Sequence, residues 1–376
     1  MKKILRVGGR VVLILAITLA LDYVLTATVF SGLKRTWIAA DAANLDTYIW
    51  APWHHDLMPN RKSMRTWGRI RFPWRTDKYG FRTGRCAAGE AEKDHPAIFV
   101  IGDSFVEALG VSYEESFTGL MACDAASQGK AVWNLGVASY SPIIYYRKVR
   151  GAAKKLGLRP QEVFVFLDLS DIDDEANVYR EWPDGTVHFA SEPLPAHVEA
   201  ARDGADGGGG NGPVYTGPPF NFTRFVLDNF ASIRFVYDLF LVSSFGEKMS
   251  YGRERARWSL DPDLMKAWGE RGLASAARNL DKLVQTCRDW HCRVTLVVYP
   301  WPDSIVARDR DGIQVTYWRD WAAREGVRFV DGFAPFFDLP ATETMQKYFI
   351  RGDVHFTAAG NRLLYEAVKQ AVDGQW

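Results

Sequence analysis

The chain has 376 residues, a formal net charge of +1, and 47% hydrophobic and 24% charged residues. Such a composition supplies enough apolar material for one large core, and the length permits two domains without requiring them. The near-neutral balance, with no basic stripe beyond the N-terminus, excludes nucleic acid as a partner.

Lys2, Lys3, Arg6 and Arg10 precede an apolar run from Val11 to Phe30, about the length that crosses a bilayer. Asp22 is its only charged residue. A carboxyl near mid-span costs about 2.5–3.5 kcal/mol on insertion scales, which the flanking leucine, isoleucine and valine residues offset. The basic residues before the run, against Lys34 and Arg35 after it, put the N-terminus in the cytoplasm. The chain then divides into a cytoplasmic tail (1–10), a transmembrane anchor (11–31), an extracytoplasmic connecting segment (32–95) and a body (96–376) with an insertion at about 177–264. The expectation is a single-pass inner-membrane protein with a periplasmic body. A cleaved signal peptide, using the small residues Thr26-Ala27-Thr28, is the rival reading, although secretory apolar regions are usually shorter.

The connecting segment is rich in tryptophan, histidine, proline and arginine without clear periodicity. Its densest knot is Trp50, Pro52, Trp53, His54, His55 and Asp56. Adjacent imidazoles and a carboxylate are metal-ligand types, but no second cysteine or histidine cluster stands at zinc-site spacing, so packing against the body is expected. Asp77 to Arg82 reads as a turn into that body.

The body opens on Ala97–Ile101, a continuous apolar run of the kind a buried parallel strand shows, which stops at Gly102-Asp103-Ser104. Ligands of open α/β sheets bind beyond the carboxyl ends of such strands. Phe105 to Leu109 can begin a helix, which would place Ser104 at a positive helix end. Gly-Asp-Ser alone is common in turns, and its weight comes from the far end of the chain. There Asp353 and His355 stand two residues apart, a spacing that puts both side chains on one side of extended backbone. A serine hydroxyl needs a base within hydrogen-bond reach, and that base needs an orienting acid. Ser104, His355 and Asp353 supply the three types.

Further along, the patterning predicts a helix over Glu114 to Ala125, a strand from Ala131 to Leu135 ending at Gly136, and an amphipathic helix from Tyr140 to Leu156. Arg147, Lys148, Arg150, Lys154 and Lys155 form the wet side of that helix. A strand over Val163 to Leu169 runs into the acid-rich Asp171 to Glu175, which lacks calcium-loop spacing. In the insertion, Ala205 to Pro213 is glycine-rich and linker-like. Phe222 to Phe245 reads as a helix whose Asp228, Arg234 and Asp238 argue against a second span. It either covers the sheet or lies on a membrane. The alternation resumes with a helix (Leu273 to Trp290), a strand (Val294 to Tyr299), a helix (Ile313 to Glu325) and a strand (Val327 to Val330). A last helix, capped by Thr357, runs to about Val372 with Leu363, Leu364, Ala367 and Ala371 inward. The expected fold class is α/β, a flavodoxin-like doubly wound parallel five-stranded sheet. Cys86, Cys123, Cys287 and Cys292 allow three connectivities. Pairing of Cys86 with Cys123 and of Cys287 with Cys292 is the expectation, since each couple is local to one βα unit.

Ile101-Gly102-Asp103-Ser104-Phe105, Asn134-Leu135-Gly136-Val137 and Asp353-Val354-His355 resemble three sequence blocks of the SGNH/GDSL hydrolase superfamily, over roughly Ala97 to Val372. Many members space the acid and base one residue wider, and the Asp-x-His form is similar to that of the alginate O-acetyltransferase group. The lead-in Asp77 to Arg82 is similar to one in membrane-anchored relatives. The resemblance implies the SGNH hydrolase fold, a triad of Ser104, His355 and Asp353, and an oxyanion hole built on the N–H groups of Ser104 and Gly136. The asparagine expected in the third block is absent. Asp168-Leu169-Ser170-Asp171 puts Ser170 in its place, a shorter donor, and losing one oxyanion donor costs about a hundred- to a thousandfold in turnover. No cofactor or metal is called for. The reading is a membrane-anchored, extracytoplasmic serine esterase or O-acetyltransferase, acting on acylated carbohydrate or another ester through an acyl-serine intermediate. A catalytically impaired glycan-binding or assembly component and a lipid esterase or thioesterase are the alternatives.

Overall fold

The structure is a computed structural model describing residues 2–32, 34, 47–67, 70–89, 92–192, 222–241 and 254–376. An N-terminal helix α1 (Lys2–Ala27) precedes two antiparallel hairpins, β1 (Tyr48–Ala51) with β2 (His54–Leu57) and β3 (Lys62–Trp67) with β4 (Ile70–Arg75). The body follows with β5 (Ala97–Ile101), the one-turn helix α2 (Ser104–Glu107), α3 (Phe117–Ser127), β6 (Ala131–Asn134), α4 (Pro142–Leu156), β7 (Glu162–Leu167) and α5 (Ser170–Asp173). A short hairpin, β8 (Tyr179–Glu181) with β9 (Val187–Phe189), leads to α6 (Phe222–Asn229) and α7 (Ala231–Leu241). The rest is α8 (Glu254–Arg257), α9 (Glu270–Trp290), β10 (Arg293–Val298), α10 (Pro302–Ala307), α11 (Ile313–Glu325), β11 (Arg328–Asp331), α12 (Ala341–Tyr348) and α13 (Ala358–Ala371).

β5, β6, β7, β10 and β11 form one parallel sheet in the order β11-β10-β7-β5-β6. Numbered among themselves along the chain these strands run 2-1-3-4-5, the flavodoxin-like order, whose crossover reversal lies between β5 and β7. The fold is therefore α/β and doubly wound. All residues of β5, β6 and β7 are buried, because α4 and α9 pack together over one face while α3 and α13 pack together at the other. The disulfides join Cys86 to Cys123 and Cys287 to Cys292.

Several expected elements differ, each for a local reason. The helix expected from Glu114 is divided at Ser116, whose Oγ accepts from Gly119 N–H at 3.0 Å and starts α3. The helix expected from Tyr140 starts at Pro142, in the first helical position. β7 stops at Leu167, because the Asp168 side chain folds back onto the N–H groups of Ser170 and Asp171. The single helix expected over Phe222 to Phe245 is two, interrupted at Phe230, and they pack on α1 instead of the sheet. In α13 the buried stripe is Gly360, Asn361, Leu364, Tyr365 and Val368, while Ala371 is exposed. The wet side assigned to α4 is wrong at one position. Lys148 is 1% exposed and pairs with Asp56 at 2.5 Å. Arg35, Ala205 to Pro213 and the end placed at Phe245 lie outside the described residues.

Candidate active site

β5 delivers its last residues to the carboxyl edge of the sheet beside the reversal. Gly102 has no room for a side chain there: a Cβ would lie 2.4 Å from Val106 Cγ2 and 2.8 Å from the Phe166 carbonyl. Asp103 caps the next turn, its Oδ1 accepting from Phe105 N–H at 3.0 Å, and Ala108 at φ 65° ends that turn. Ser104 thus stands on a short, doubly pinned turn.

The segment 350–356 before α13 is a closed loop, with Ile350 N–H donating to His355 O at 2.8 Å and a bridge between Phe349 and Phe356. Within it Asp353 Oδ1 accepts from both the main-chain N–H of His355, at 2.9 Å, and its ring Nδ1, at 2.5 Å. His355 Nε2 lies 2.8 Å from Ser104 Oγ, a contact between residues 251 apart in sequence. With Nδ1–H donating to Asp353, the tautomer assigned from this network leaves Nε2 as acceptor for the serine proton. Burial would raise the Asp353 carboxyl, but His355, as charge and as donor, holds it well below the usual carboxylate range. The imidazole is walled by Phe105, at 4.7 Å between ring centroids, and by Trp67, edge-on at 5.0 Å. The indole N–H of Trp67 sits close enough to Asp353 to favour its charged form, without a hydrogen bond of ordinary geometry.

The structure brings Ser104, His355 and Asp353 together, but it directs two of the expected oxyanion donors elsewhere. The Gly136 N–H donates to Asn134 Oδ1 at 3.0 Å, and Asn134 is itself fixed by donating to Val106 O at 2.7 Å. Ser170 donates to Asp168 Oδ1 through both its hydroxyl, at 2.8 Å, and its N–H, at 2.7 Å. The Ser104 N–H, first in its turn, meets no protein acceptor among the described residues.

Behind the serine lies a group of acids that motif reading missed. The carboxylates of Asp103, Asp168 and Asp171 are all buried and approach within 4.8 Å of one another. Oxygen sets of this kind suit a divalent cation, yet here they receive protein donors. Trp301 Nε1 reaches Asp168 at 3.0 Å, the Tyr145 hydroxyl reaches Asp171 at 2.7 Å, and the Tyr299 hydroxyl faces Asp103 at 3.4 Å. Ser104 Oγ also contacts Asp103, at 3.1 Å. Burial first, then the charge of Asp168, pushes both Asp103 and Asp171 well above the usual carboxylate range. The available signal was Asp168 and Asp171 flanking Ser170 at a strand end.

The connecting segment is fastened onto this region. Glu107, at the end of the serine's turn and fully buried, accepts from Arg65 at 2.5 Å, Trp74 Nε1 at 3.1 Å, the Tyr48 hydroxyl at 3.2 Å and the Ala138 N–H at 2.8 Å. Arg65 and Trp67 share β3, so the same strand that pairs with Glu107 carries the indole to His355. The imidazoles of His54 and His55 face each other at 2.7 Å, and His55 Nε2 meets the Ala138 carbonyl at 2.8 Å. Burial lowers both, His54 to about 3, as expected of packed neutral rings.

No protein-family description and no curated protein matches this chain. Among solved structures it is similar to TesA (13% identity, TM-score 0.40, covering 73% of this chain and 97% of that one). It is also similar to a member of the lipolytic protein G-D-S-L family from Veillonella parvula (14%, 0.38, 73% and 96%). A third is Axe2, an acetylxylan esterase from Geobacillus stearothermophilus (13%, 0.38, 77% and 96%). Likeness at this level leaves the chemistry to rest on the side chains described above.

Proposed function

We propose that this chain is an SGNH-type serine esterase or O-acyltransferase, held at a membrane by α1 with its body outside the cytoplasm, and that it acts on acylated carbohydrate. The observation that carries the chemistry is the continuous chain Ser104 Oγ to His355 Nε2, and Nδ1 to Asp353 Oδ1. His355 takes the hydroxyl proton as Ser104 attacks the ester carbonyl. Asp353 holds the ring and stabilises its charged form, and the alcohol leaves with the proton returned by His355. Water, or a sugar hydroxyl, then takes the acyl group by the reverse steps. The Ser104 N–H is the donor in place for the oxyanion, and Gly136 and Ser170 join only by releasing Asn134 and Asp168. α1 supports the anchor: Gly8–Ala27 has mean hydropathy 2.0 and is almost wholly exposed.

The occupied donors at Gly136 and Ser170 favour one second reading, a glycan-binding component of the same fold with little turnover. A fluorophosphonate probe and release of acetate from p-nitrophenyl acetate and from an acetylated oligosaccharide separate the two. The esterase reading expects labelling and release in the native chain and neither in Ser104→Ala. Labelling that ignores Ser104, or none at all, leaves the binding component. Acetate appearing on an added oligosaccharide instead of in solution marks transfer, and a preference for long-chain lipid esters would redirect the substrate assignment to lipids.

A further inference from the structure

Where the insertion meets α1, the contacts are specific. The Asp22 carboxylate, the one charge in the apolar run, accepts from the Ser232 hydroxyl at 2.5 Å and from its N–H at 3.3 Å. Thr26 Oγ1 accepts from the Ala231 N–H at 2.9 Å, Lys34 Nζ donates to Asn229 at 2.7 Å, and Tyr23 packs on Phe230 at 5.8 Å. These contacts run from Asp22, just past the middle of the apolar run, to Lys34 beyond its body-side end. They fix the start of α7, and they satisfy a carboxylate that hydrocarbon would otherwise leave unpaired.

From that junction α7 leads off with large apolar side chains outward. Phe235 and Val236 are each 64% exposed and Leu239 49%. At about 100° per residue these three fall within one stripe roughly 100° wide. Phe225 on α6 and Tyr237 are exposed as well. α6 and α7 pack on α1, which is itself exposed on every side from Gly8 to Leu21. Large apolar side chains exposed together along one helix face mark a surface that meets another apolar phase. The start of α7 is held at Asp22, within the apolar run of α1, so the stripe that follows stands at the depth of the hydrocarbon and its cover is lipid.

We propose that α6 and α7 form a helix pair seated in the outer leaflet of the bilayer that α1 crosses, the start of α7 at the depth of Asp22, with the Phe235, Val236 and Leu239 stripe against the acyl chains. The proposal rests on the anchor reading of α1 and is independent of the esterase chemistry. Its consequence is that the body is tied to the membrane at two elements, which restrains its height and tilt above the lipid.

All four cysteines are in disulfides, so a single added cysteine takes a nitroxide label selectively. The full chain is reconstituted in vesicles of phosphatidylethanolamine and phosphatidylglycerol with a label at Val236→Cys, at Leu15→Cys in α1, or at Ala323→Cys on the exposed side of α11. Collisions with oxygen, which concentrates in lipid, are compared with those of a water-soluble nickel chelate. Oxygen is expected to dominate at 15 and 236, and nickel at 323. Oxygen at 15 with nickel at 236 leaves the anchor intact and overturns the helix pair. Protection of 236 from both reagents means that protein covers the stripe and overturns it too. Nickel at 15 removes the anchor itself, and the inference falls with it, while labelling of Ser104 still reads the chemistry separately.

Discussion

Ser170 occupies the place where a side-chain oxyanion donor is expected, yet both its hydroxyl and its N–H are bound to Asp168 Oδ1. A hydroxyl so held contributes to the shape of the turn after β7 and little to a developing negative charge on the substrate. Ser170→Ala is therefore expected to cost about 1 kcal/mol of stability, one ordinary hydrogen bond. It should leave kcat for p-nitrophenyl acetate within about tenfold of the native value, against the hundred- to thousandfold typical of a lost oxyanion donor. A loss of the larger size would mean that the hydroxyl leaves Asp168 during turnover. Asp353 contrasts with Ser170 because its partners are the reacting group itself. Its carboxyl lies below the usual range, so its contribution to stability is present at neutral pH and is lost only as pH falls beneath that range.

At the scale of elements, β3 carries Arg65 to Glu107 and, two residues on, Trp67 to His355. Arg65 is 3% exposed and Glu107 fully buried, so cutting the pair leaves a carboxylate without its cation. Arg65→Met is expected to destabilise the fold by about 3–5 kcal/mol, read by urea unfolding. It should lower kcat as well, because the strand that holds the indole against His355 loses its tie. Adding Glu107→Gln should recover part of the stability, since the amide removes the unpaired buried charge while its one oxygen still accepts from either Trp74 or the Ala138 N–H. A double variant no more stable than Arg65→Met would show that the ion pair is not what holds β3. These hairpins are hard to read from pattern because their strands run only four to six residues; β4 alone alternates, with Phe72 and Trp74 buried between the exposed Arg71, Pro73 and Arg75. α11 was legible to its ends, since Gly312 and Gly326 bracket it, and β5 was legible because a strand covered on both faces is apolar throughout. Lys148 could have been found. It lies four residues after Ile144 and four before Ala152, on the buried stripe of α4.

Across the whole molecule, the meeting of Ser104, His355 and Asp353 was legible because these residue types sit in short blocks, whereas the acids behind them draw their effect from burial, which local pattern does not report. Asp103 and Asp171 are pushed well above the ordinary carboxylate range, and Asp174 to about 8. The first cause in each is burial, and for Asp174 the nearby Asp168 and Asp173 further oppose Arg255. A carboxyl raised in the folded state binds more protons there than in the unfolded chain, so its stabilisation is full below the ordinary carboxylate range. That stabilisation is then lost as pH rises toward the folded value. Thermal stability is accordingly expected to fall from about pH 5 to about pH 8, against the usual trend for surface acids held by cations. Asp171 Oδ1 is buried without a hydrogen-bond partner, so Asp171→Asn supplies at every pH the neutral donor that the acid supplies only while it keeps its proton. The variant should unfold at higher temperature than the native chain at pH 8 and match it more closely at pH 5. The slope of stability against pH should be shallower by up to about 1.4 kcal/mol per unit, one proton's worth. Parallel curves for the two proteins would show that Asp171 is ionised in both states and that the acids behind Ser104 carry their charge at neutral pH.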